Sequence, residues 1–173
     1  MSSRALIIVD MLNDFVHEDG VLYCGQGARE IIPFIAQRLK EYHKSGDLVS
    51  YLQDSHVESD KEFERFPAHS IIGTWGHEII CELAPEEKDI VFQKRRFSGF
   101  FETGLGDLLV KHNIKDVEVV GVCTNICVMD TVGGLANRDY NVVVPRAGVA
   151  DFDPEFHEFA LKRMEKIYGA GIA

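Results

Sequence analysis

Basic side chains are scarce in this sequence. It has 18 Lys and Arg residues against 28 Asp and Glu residues, and its formal net charge is −10. Binding to a nucleic-acid backbone depends on Lys and Arg side chains that neutralise phosphates, so this charge argues against a nucleic-acid partner. It favours solubility and carries no information about the fold.

Long apolar runs are also missing near the start. The apolar run 5–9 is ended by Asp10. A membrane-spanning helix needs about 20 apolar residues and the core of a signal peptide about 7–15. We therefore expect a cytoplasmic protein that does not enter a membrane, with its first strand at 5–9.

Cysteine is sparse and shows no paired spacing. The four thiols are Cys24, Cys81, Cys123 and Cys127, and no two of them form a CxxC motif. The spacing matches neither a zinc ribbon nor a small disulfide framework. In a reducing compartment we expect four free thiols. Internal repeats and low-complexity segments are absent from the sequence as well.

What the sequence does have is a regular alternation of apolar runs and amphipathic segments. The apolar runs predict strands at 5–9, 47–53, 89–93, 117–122 and 141–144, and a stub after 169. Helical spacing predicts helices at 28–42, 76–83, 103–112 and 125–138, and a last helix that Asp153 caps, with Phe156, Ala160 and Ile167 on its buried side. The pattern predicts one α/β domain over 1–173. It is a three-layer α/β/α sandwich with a five- to six-stranded, mostly parallel sheet.

Three polar side chains follow the carboxyl ends of predicted strands. They are Asp10, Lys94 and Cys127, and open parallel sheets build their ligand sites at that edge. Each has a plainer interpretation: Asp10 as a turn residue, Lys94 as part of a basic surface run, and Cys127 as an inert core thiol.

Cys127 also stands at the first turn of a predicted helix. Unpaired N–H groups give that end of a helix a partial positive charge, which is expected to lower the pKa of the thiol. The same N–H groups can hold an oxyanion. Cys127 is therefore the candidate nucleophile.

A second group of candidates could bind a metal. Asp54 and His56 point to the same side of an extended segment, and Glu62 and His69 follow in a loop. Two imidazoles with carboxylates and no thiolate suit zinc, manganese or iron in a site that keeps open positions. The alternative is a charged, solvated loop.

Taken together, these motifs resemble the isochorismatase-like cysteine hydrolases and, within them, the nicotinamidases. The resemblance covers nearly the whole chain and rests on residues 7–15, 54–56 with 66–69 and 73–74, 94–100, and 121–128. It implies a catalytic triad of Asp10, Lys94 and Cys127. It also implies a cis peptide bond between Val122 and Cys123, and an oxyanion hole formed by the N–H groups of Cys123 and Cys127.

The resemblance further implies a divalent metal bound by Asp54, His56, Glu62 and His69. Zinc is the first expectation, and manganese or iron are the alternatives. Glu64, two residues after Glu62, is a second carboxylate in the same loop. The metal would bind the ring nitrogen of nicotinamide, and Phe15, Phe66 and Phe97 would flank the ring unless they are core residues. The implied reaction converts nicotinamide to nicotinate and ammonia through a cysteine thioester. A homo-oligomer is the family-level expectation.

Other functions stay open at this point. A related amidase that acts on N-carbamoylsarcosine or another small amide or ureido compound would keep the triad and change the pocket. The vinyl-ether-cleaving isochorismatases are disfavoured because they do not use the nucleophilic cysteine. A non-catalytic metal-binding protein, or a redox module in which Cys123 and Cys127 sense oxidation, is the alternative outside enzymes.

Overall fold

One parallel sheet forms the centre of the fold. The computed structural model describes residues 4–173. Within that range the strands are β1 Arg4–Val9, β2 Leu48–Asp54, β3 Ile90–Lys94, β4 Asp116–Val122, β5 Asn141–Val144, β6 Val149–Ala150 and β7 Gly171–Ile172. Their order is β3-β2-β1-β4-β5-β7, with β6 beside β4, and every pair is parallel.

Helices cover both faces of this sheet. They are α1 Asn13–Val16, α2 Gln26–Glu30, α3 Ile32–Ser45, α4 Leu105–Lys111, α5 Met129–Ala136 and α6 Pro154–Tyr168. Short 3₁₀ turns lie at Lys61–Glu64, Trp75–His77, Cys81–Leu83 and Arg146–Gly148, and a π-helical turn lies at Thr124–Val128. None of the helices in residues 4–173 is long and apolar enough to cross a bilayer.

Alternation along β1 shows how the three layers form. Leu6 and Ile8 pack into an apolar cluster with Ile35 of α3. Ile7, between them, packs into a second cluster with Leu161 of α6 on the opposite face. A strand buried on both faces reads as a continuous apolar run, which is why 5–9 has no polar residue. The predicted three-layer α/β/α sandwich is confirmed.

Some predicted elements were wrong in detail. The sheet has seven strands where five or six were predicted, because β6 is two residues long and too short to show a period. The helix predicted over 76–83 is a pair of 3₁₀ turns, Trp75–His77 and Cys81–Leu83. The short helix α1, Asn13–Val16, was not predicted.

The buried side of α6 was also partly mispredicted. Ala160 is buried as expected, but Phe156 and Ile167 are 53% and 64% exposed. The buried stripe runs instead through Ala160, Leu161 and Met164. Helical spacing identifies apolar faces, but it does not decide which of two overlapping faces turns toward the sheet. Asp153 caps the helix as predicted, accepting from the N–H of Glu155 at 2.9 Å.

Gly121 determines how closely β1 and β4 approach. Its φ is 119°, and a Cβ there would lie 2.0 Å from the carbonyl oxygen of Val9, its partner in the register. We expect Gly121→Ala to lower the free energy of unfolding by about 3 kcal/mol, because the substitution adds both backbone strain and a backbone clash.

Gly27→Ala is the matched control for this prediction. Gly27 lies in α2, and a Cβ there would meet no atom closer than the Ala150 Cβ at 3.8 Å. Alanine is favoured over glycine inside helices by up to about 1 kcal/mol, so Gly27→Ala is expected to be neutral or stabilising. Urea unfolding of both variants measures the difference. Equal losses of stability at the two positions would contradict the role assigned to Gly121.

Candidate active site

Three strand ends bring the predicted polar residues together. Asp10 follows β1, and its N–H donates to the Leu52 carbonyl of β2 at 2.9 Å. Asp54 and Lys94 are the last residues of β2 and β3 and are partners in the register. Asp10 has a φ of 49°, which turns the chain at the end of β1. Parallel strands thus deliver all three side chains to one edge.

Lys94 is the centre of this arrangement. Its Nζ lies 2.9 Å from Asp10 Oδ2, 3.1 Å from Asp54 Oδ1 and 3.4 Å from Cys127 Sγ. The residue is 1% exposed, so these three groups take the place of solvent around the ammonium. The structure therefore brings the predicted triad together, and it adds Asp54 as a second carboxylate on the ammonium.

The two ends of the Asp10–Lys94 pair differ in proton affinity. Burial raises the pKa of Asp10 to about 6, although the nearby Lys94 ammonium lowers it. Burial alone would lower the pKa of Lys94, but Asp10 and Asp54 outweigh it and hold that pKa well above its ordinary value. Lys94 therefore stays charged, while Asp10 can take and return a proton near neutral pH.

Cys127 lies at the predicted place but in a different environment. The helix predicted over 125–138 is a π-helical turn, Thr124–Val128, followed by α5. Burial raises the pKa of the Cys127 thiol well above its ordinary value, Lys94 lowers it, and Asp10 raises it further. The expected lowering of this pKa was wrong, because burial is the largest influence on the thiol and raises its pKa. The thiol keeps its proton until a base removes it.

The turn that carries Cys127 is held from outside by Asp151. Its Oδ2 accepts from the backbone N–H of Asn125 at 2.8 Å and from the Asn125 side chain at 2.7 Å. The carbonyl of Cys123 accepts from the N–H of Ile126 at 3.1 Å. Sequence reasoning missed Asp151, because it follows β6, a strand too short to predict. π-Helical turns are frequent at functional sites.

The peptide bond between Val122 and Cys123 is cis, as the resemblance implies. Cys123 ends the extended chain and precedes the π-helical turn. The backbone N–H groups of Cys123 and Cys127 remain the predicted oxyanion donors, since the first turn of a helix leaves such groups without partners inside the helix.

The four predicted metal ligands form one buried cluster. Asp54, His56, Glu62 and His69 each offer a ligand atom, and those atoms lie within 4.8 Å of one another. The Nε2 atoms of His56 and His69 are 2.9 Å and 3.3 Å from Asp54 Oδ2. Glu64 is exposed, so the structure places Glu62 in the cluster and leaves its neighbour outside.

Each imidazole is oriented by a bond on its other nitrogen. His56 Nδ1 is 3.1 Å from Asp60 Oδ2, and His69 Nδ1 is 2.7 Å from the carbonyl of Pro67. Such partners fix the rings and turn the Nε2 atoms inward. Asp60 also accepts from the N–H of Glu62 at 2.9 Å, which starts the 3₁₀ turn. Sequence reasoning missed Asp60, although an Asp two residues before Glu62 is a capping signal.

The cluster has the chemistry that a divalent cation needs. Glu62 Oε2 is buried and has no hydrogen-bond partner in the part of the chain that the structure describes. Its nearest cation is the Arg96 guanidinium, 3.8 Å away. A buried carboxylate oxygen without a hydrogen bond is costly unless a cation balances it. Two inward imidazoles and two carboxylates fit zinc, manganese or iron(II).

A cavity of about 370 Å³, measured with its open mouth, connects the thiol to this cluster. Its lining includes Cys127 and Asp10 of the triad and Glu62 and His69 of the cluster. The three predicted aromatic residues, Phe15, Phe66 and Phe97, all line it too. Phe15 is also a buried member of an apolar core cluster, so for this residue the core position that the sequence left open is found together with a position on the cavity.

The comparisons with known proteins agree with this geometry. The Isochorismatase domain family matches residues 4–172. The chain belongs to the isochorismatase family of hydrolases. Its structure resembles the nicotinamidase PncA from Bacillus subtilis, with a TM-score of 0.94, 35% identity and 99% coverage of both chains.

Two further structures that this chain resembles are named for different substrates. A pyrazinamidase of Pyrococcus horikoshii in complex with zinc has a TM-score of 0.93 and 29% identity, over 99% of this chain and 98% of the other. An N-carbamoylsarcosine amidase from Thermoplasma acidophilum has a TM-score of 0.89 and 32% identity, over 99% and 95%. The family therefore includes amidases with different substrates on one fold, and the pocket must decide between them.

Proposed function

We propose that this isochorismatase-family hydrolase converts nicotinamide to nicotinate and ammonia through a thioester on Cys127. One observation carries the proposal: the same cavity is lined by the Cys127 thiol and by members of the candidate metal-binding cluster. Asp54 links the triad to the metal-binding cluster, because its Oδ1 contacts Lys94 and its Oδ2 contacts both imidazoles. A small ring with a carboxamide on one side and a ring nitrogen on the other suits such a cavity.

In the first half of the reaction, Asp10 takes the proton of the Cys127 thiol, and the thiolate attacks the carboxamide carbon. The Lys94 ammonium balances the charge of the carboxylate and the thiolate. The N–H groups of Cys123 and Cys127 donate to the oxyanion. When the carbon–nitrogen bond breaks, protonated Asp10 gives its proton to the leaving nitrogen, so that ammonia and a thioester form.

In the second half, Asp10 takes a proton from water, and the resulting hydroxide adds to the thioester carbon. The same backbone N–H groups hold the second oxyanion. The carbon–sulfur bond then breaks, nicotinic acid leaves and gives up its proton to solvent as nicotinate, and the thiolate of Cys127 regains the proton held by Asp10. An Asp10 pKa of about 6 suits a group that must both accept and donate.

Asp54, His56, Glu62 and His69 would hold the divalent metal, and zinc is supported by the pyrazinamidase of Pyrococcus horikoshii in complex with zinc. A bound ion would supply an open coordination position to the ring nitrogen and so orient the substrate. Phe15, Phe66 and Phe97 would cover the ring, since aromatic side chains prefer offset or edge contacts with other rings.

We expect His69→Ala to lose most of its bound metal and to raise KM for nicotinamide by about tenfold or more, since losing one strong ligand interaction costs 1.4 kcal/mol or more. Metal content per chain is measured by elemental analysis and KM by ammonia release. His112→Ala, at an exposed position after α4, is the matched control. Unchanged metal content in His69→Ala would refute the ligand assignment.

The second candidate is an amidase for a ureido compound, favoured by the likeness to the N-carbamoylsarcosine amidase. It would keep Asp10, Lys94 and Cys127 and would have no ring nitrogen to orient. The ratio of kcat/KM for nicotinamide to that for N-carbamoylsarcosine separates the two. A ratio above one supports the nicotinamidase, and a ratio below one moves the substrate while keeping the triad.

We also propose that the chain forms a homo-oligomer. Phe152, Phe156 and Phe159 are each more than half exposed at the start of α6. Phe156 and Phe159 are three positions apart and so lie on one face of α6, and exposed apolar patches mark contact surfaces. Light scattering after size exclusion is expected to give a multiple of 19.5 kDa. A mass of one chain at micromolar concentration would contradict self-association.

A further inference from the structure

Two thiols outside the triad lie unusually close together. The Sγ atoms of Cys24 and Cys123 are 2.9 Å apart, and both residues are buried. Both are free thiols. A disulfide bond is ~2.05 Å long, so less than an ångström of movement separates this contact from a bond.

The two sulfurs belong to segments that the rest of the fold fixes independently. Cys24 lies in the loop before α2, where its N–H donates to the Phe15 carbonyl at 2.8 Å. Cys123 lies at the end of β4 and carries the carbonyl that accepts from Ile126 and Val128. They are 99 positions apart in the sequence. A bond between them would tie the wall of the site to the turn that holds the nucleophile.

The pair borders an open cavity, although both residues are largely buried. Both cysteines line a second, outer cavity of about 680 Å³, measured with its open mouth. Phe15 and Phe66 line this outer cavity and also the cavity that holds Cys127. Cys123 lines both cavities, so the thiol pair lies beside the candidate catalytic centre.

We propose that Cys24 and Cys123 are a reversible oxidation site whose disulfide switches the amidase off. The oxidant is a small aliphatic disulfide. The thiolate of Cys123 attacks one of its sulfurs and releases one small thiol, leaving a mixed disulfide. The thiolate of Cys24 then attacks Cys123 Sγ and releases the second thiol. The protein loses two protons and two electrons, and the small disulfide gains them as it becomes two thiols.

The loss of activity rests on the proposed function, in which the Cys123 N–H group donates to the oxyanion. Drawing the two sulfurs together moves the Cys123 backbone and the loop that carries Leu22, which lines the inner cavity. The hydrogen bond with Cys24 and burial raise the pKa of Cys123 well above its ordinary value. A small thiolate fraction makes exchange slow, so the reaction must be followed to equilibrium.

The test uses the full chain with Cys81→Ser, which removes the exposed thiol. The protein is equilibrated with mixtures of 2-hydroxyethyl disulfide and 2-mercaptoethanol, alkylated, digested and mapped by mass spectrometry. We expect a linked pair of peptides containing Cys24 and Cys123. Ammonia release should fall by about tenfold or more, since losing one oxyanion donor costs ~10²–10³-fold in kcat, and dithiothreitol should restore it.

Cys24→Ser in the same background is the matched control, with Cys24→Ala as a second variant. Neither should form the link, and each should keep the rate it shows before oxidation. Absence of the link at every ratio, or a link from Cys123 to Cys127, would overturn the site. A complete link with full activity would overturn the switch. If the reduced protein does not hydrolyse nicotinamide at all, the proposed function fails, and the peptide map still decides whether the disulfide forms.

Discussion

Cys127→Ala is expected to lower nicotinamide turnover by about 10⁴-fold or more, because the covalent route needs a sulfur at this position. The ion pair between Asp10 and Lys94 is expected to remain in the variant, because their 2.9 Å contact does not involve the thiol. Removing one buried sulfur costs about 1 kcal/mol of stability, within the range for small cavities. Ammonia release and urea unfolding measure the two effects separately.

Cys81→Ala is the control for this prediction. Cys81 is an exposed free thiol in a 3₁₀ turn and is not part of the proposed triad. Its loss should change neither rate nor stability. If Cys127→Ala turned over nicotinamide at the wild-type rate, no thioester could lie on the reaction path, and the nucleophile would have to be sought elsewhere.

Lys94→Met is expected to lower kcat by about 10³-fold or more, as removal of one preorganised charge does in other sites. The substitution leaves the carboxylates of Asp10 and Asp54 buried near each other with no ammonium between them. One of the two carboxylates must then hold a proton. Burial already raises the pKa of Asp10, so Asp10 holds that proton and can no longer act as the base. Breaking a buried ion pair from one side also costs about 3 kcal/mol of folding free energy.

Lys88→Met is the control for Lys94→Met, whose substitution is expected to lower both kcat and the free energy of unfolding. Lys88 is 55% exposed and pairs with Glu86 at 3.2 Å, so its substitution should cost less than about 1 kcal/mol and no activity. Rates are compared per folded molecule, with the folded fraction taken from the unfolding curve. Wild-type kcat in folded Lys94→Met would contradict the role of the ammonium.

The sequence was sufficient for the parts of the site that follow strand ends. Asp10 and Lys94 each end an apolar run, and parallel strands place such residues on one edge whatever the loops do. The metal-type cluster was predicted from a period-two pair, Asp54 and His56, together with a family resemblance. The geometry then brought Glu62 and His69 to the same place.

What the sequence could not predict depends on distances across the fold. The contact between Cys24 and Cys123 joins segments that share no local pattern. The pKa of Cys127 was expected to fall because a helix end is visible in the sequence, but the degree of burial is not. Asp60 and Asp151 act by holding other residues, so their roles appear only once those residues are in place.

The most direct test of the central claim is the release of ammonia and nicotinate from nicotinamide by the purified chain, before chelation, after it, and after zinc is restored. We expect equal amounts of the two products at a kcat near ~10 s⁻¹, a typical enzyme value, with loss on chelation and recovery with zinc. Failure to release ammonia from nicotinamide in the zinc-restored protein, with the fold intact, would contradict the proposed nicotinamidase.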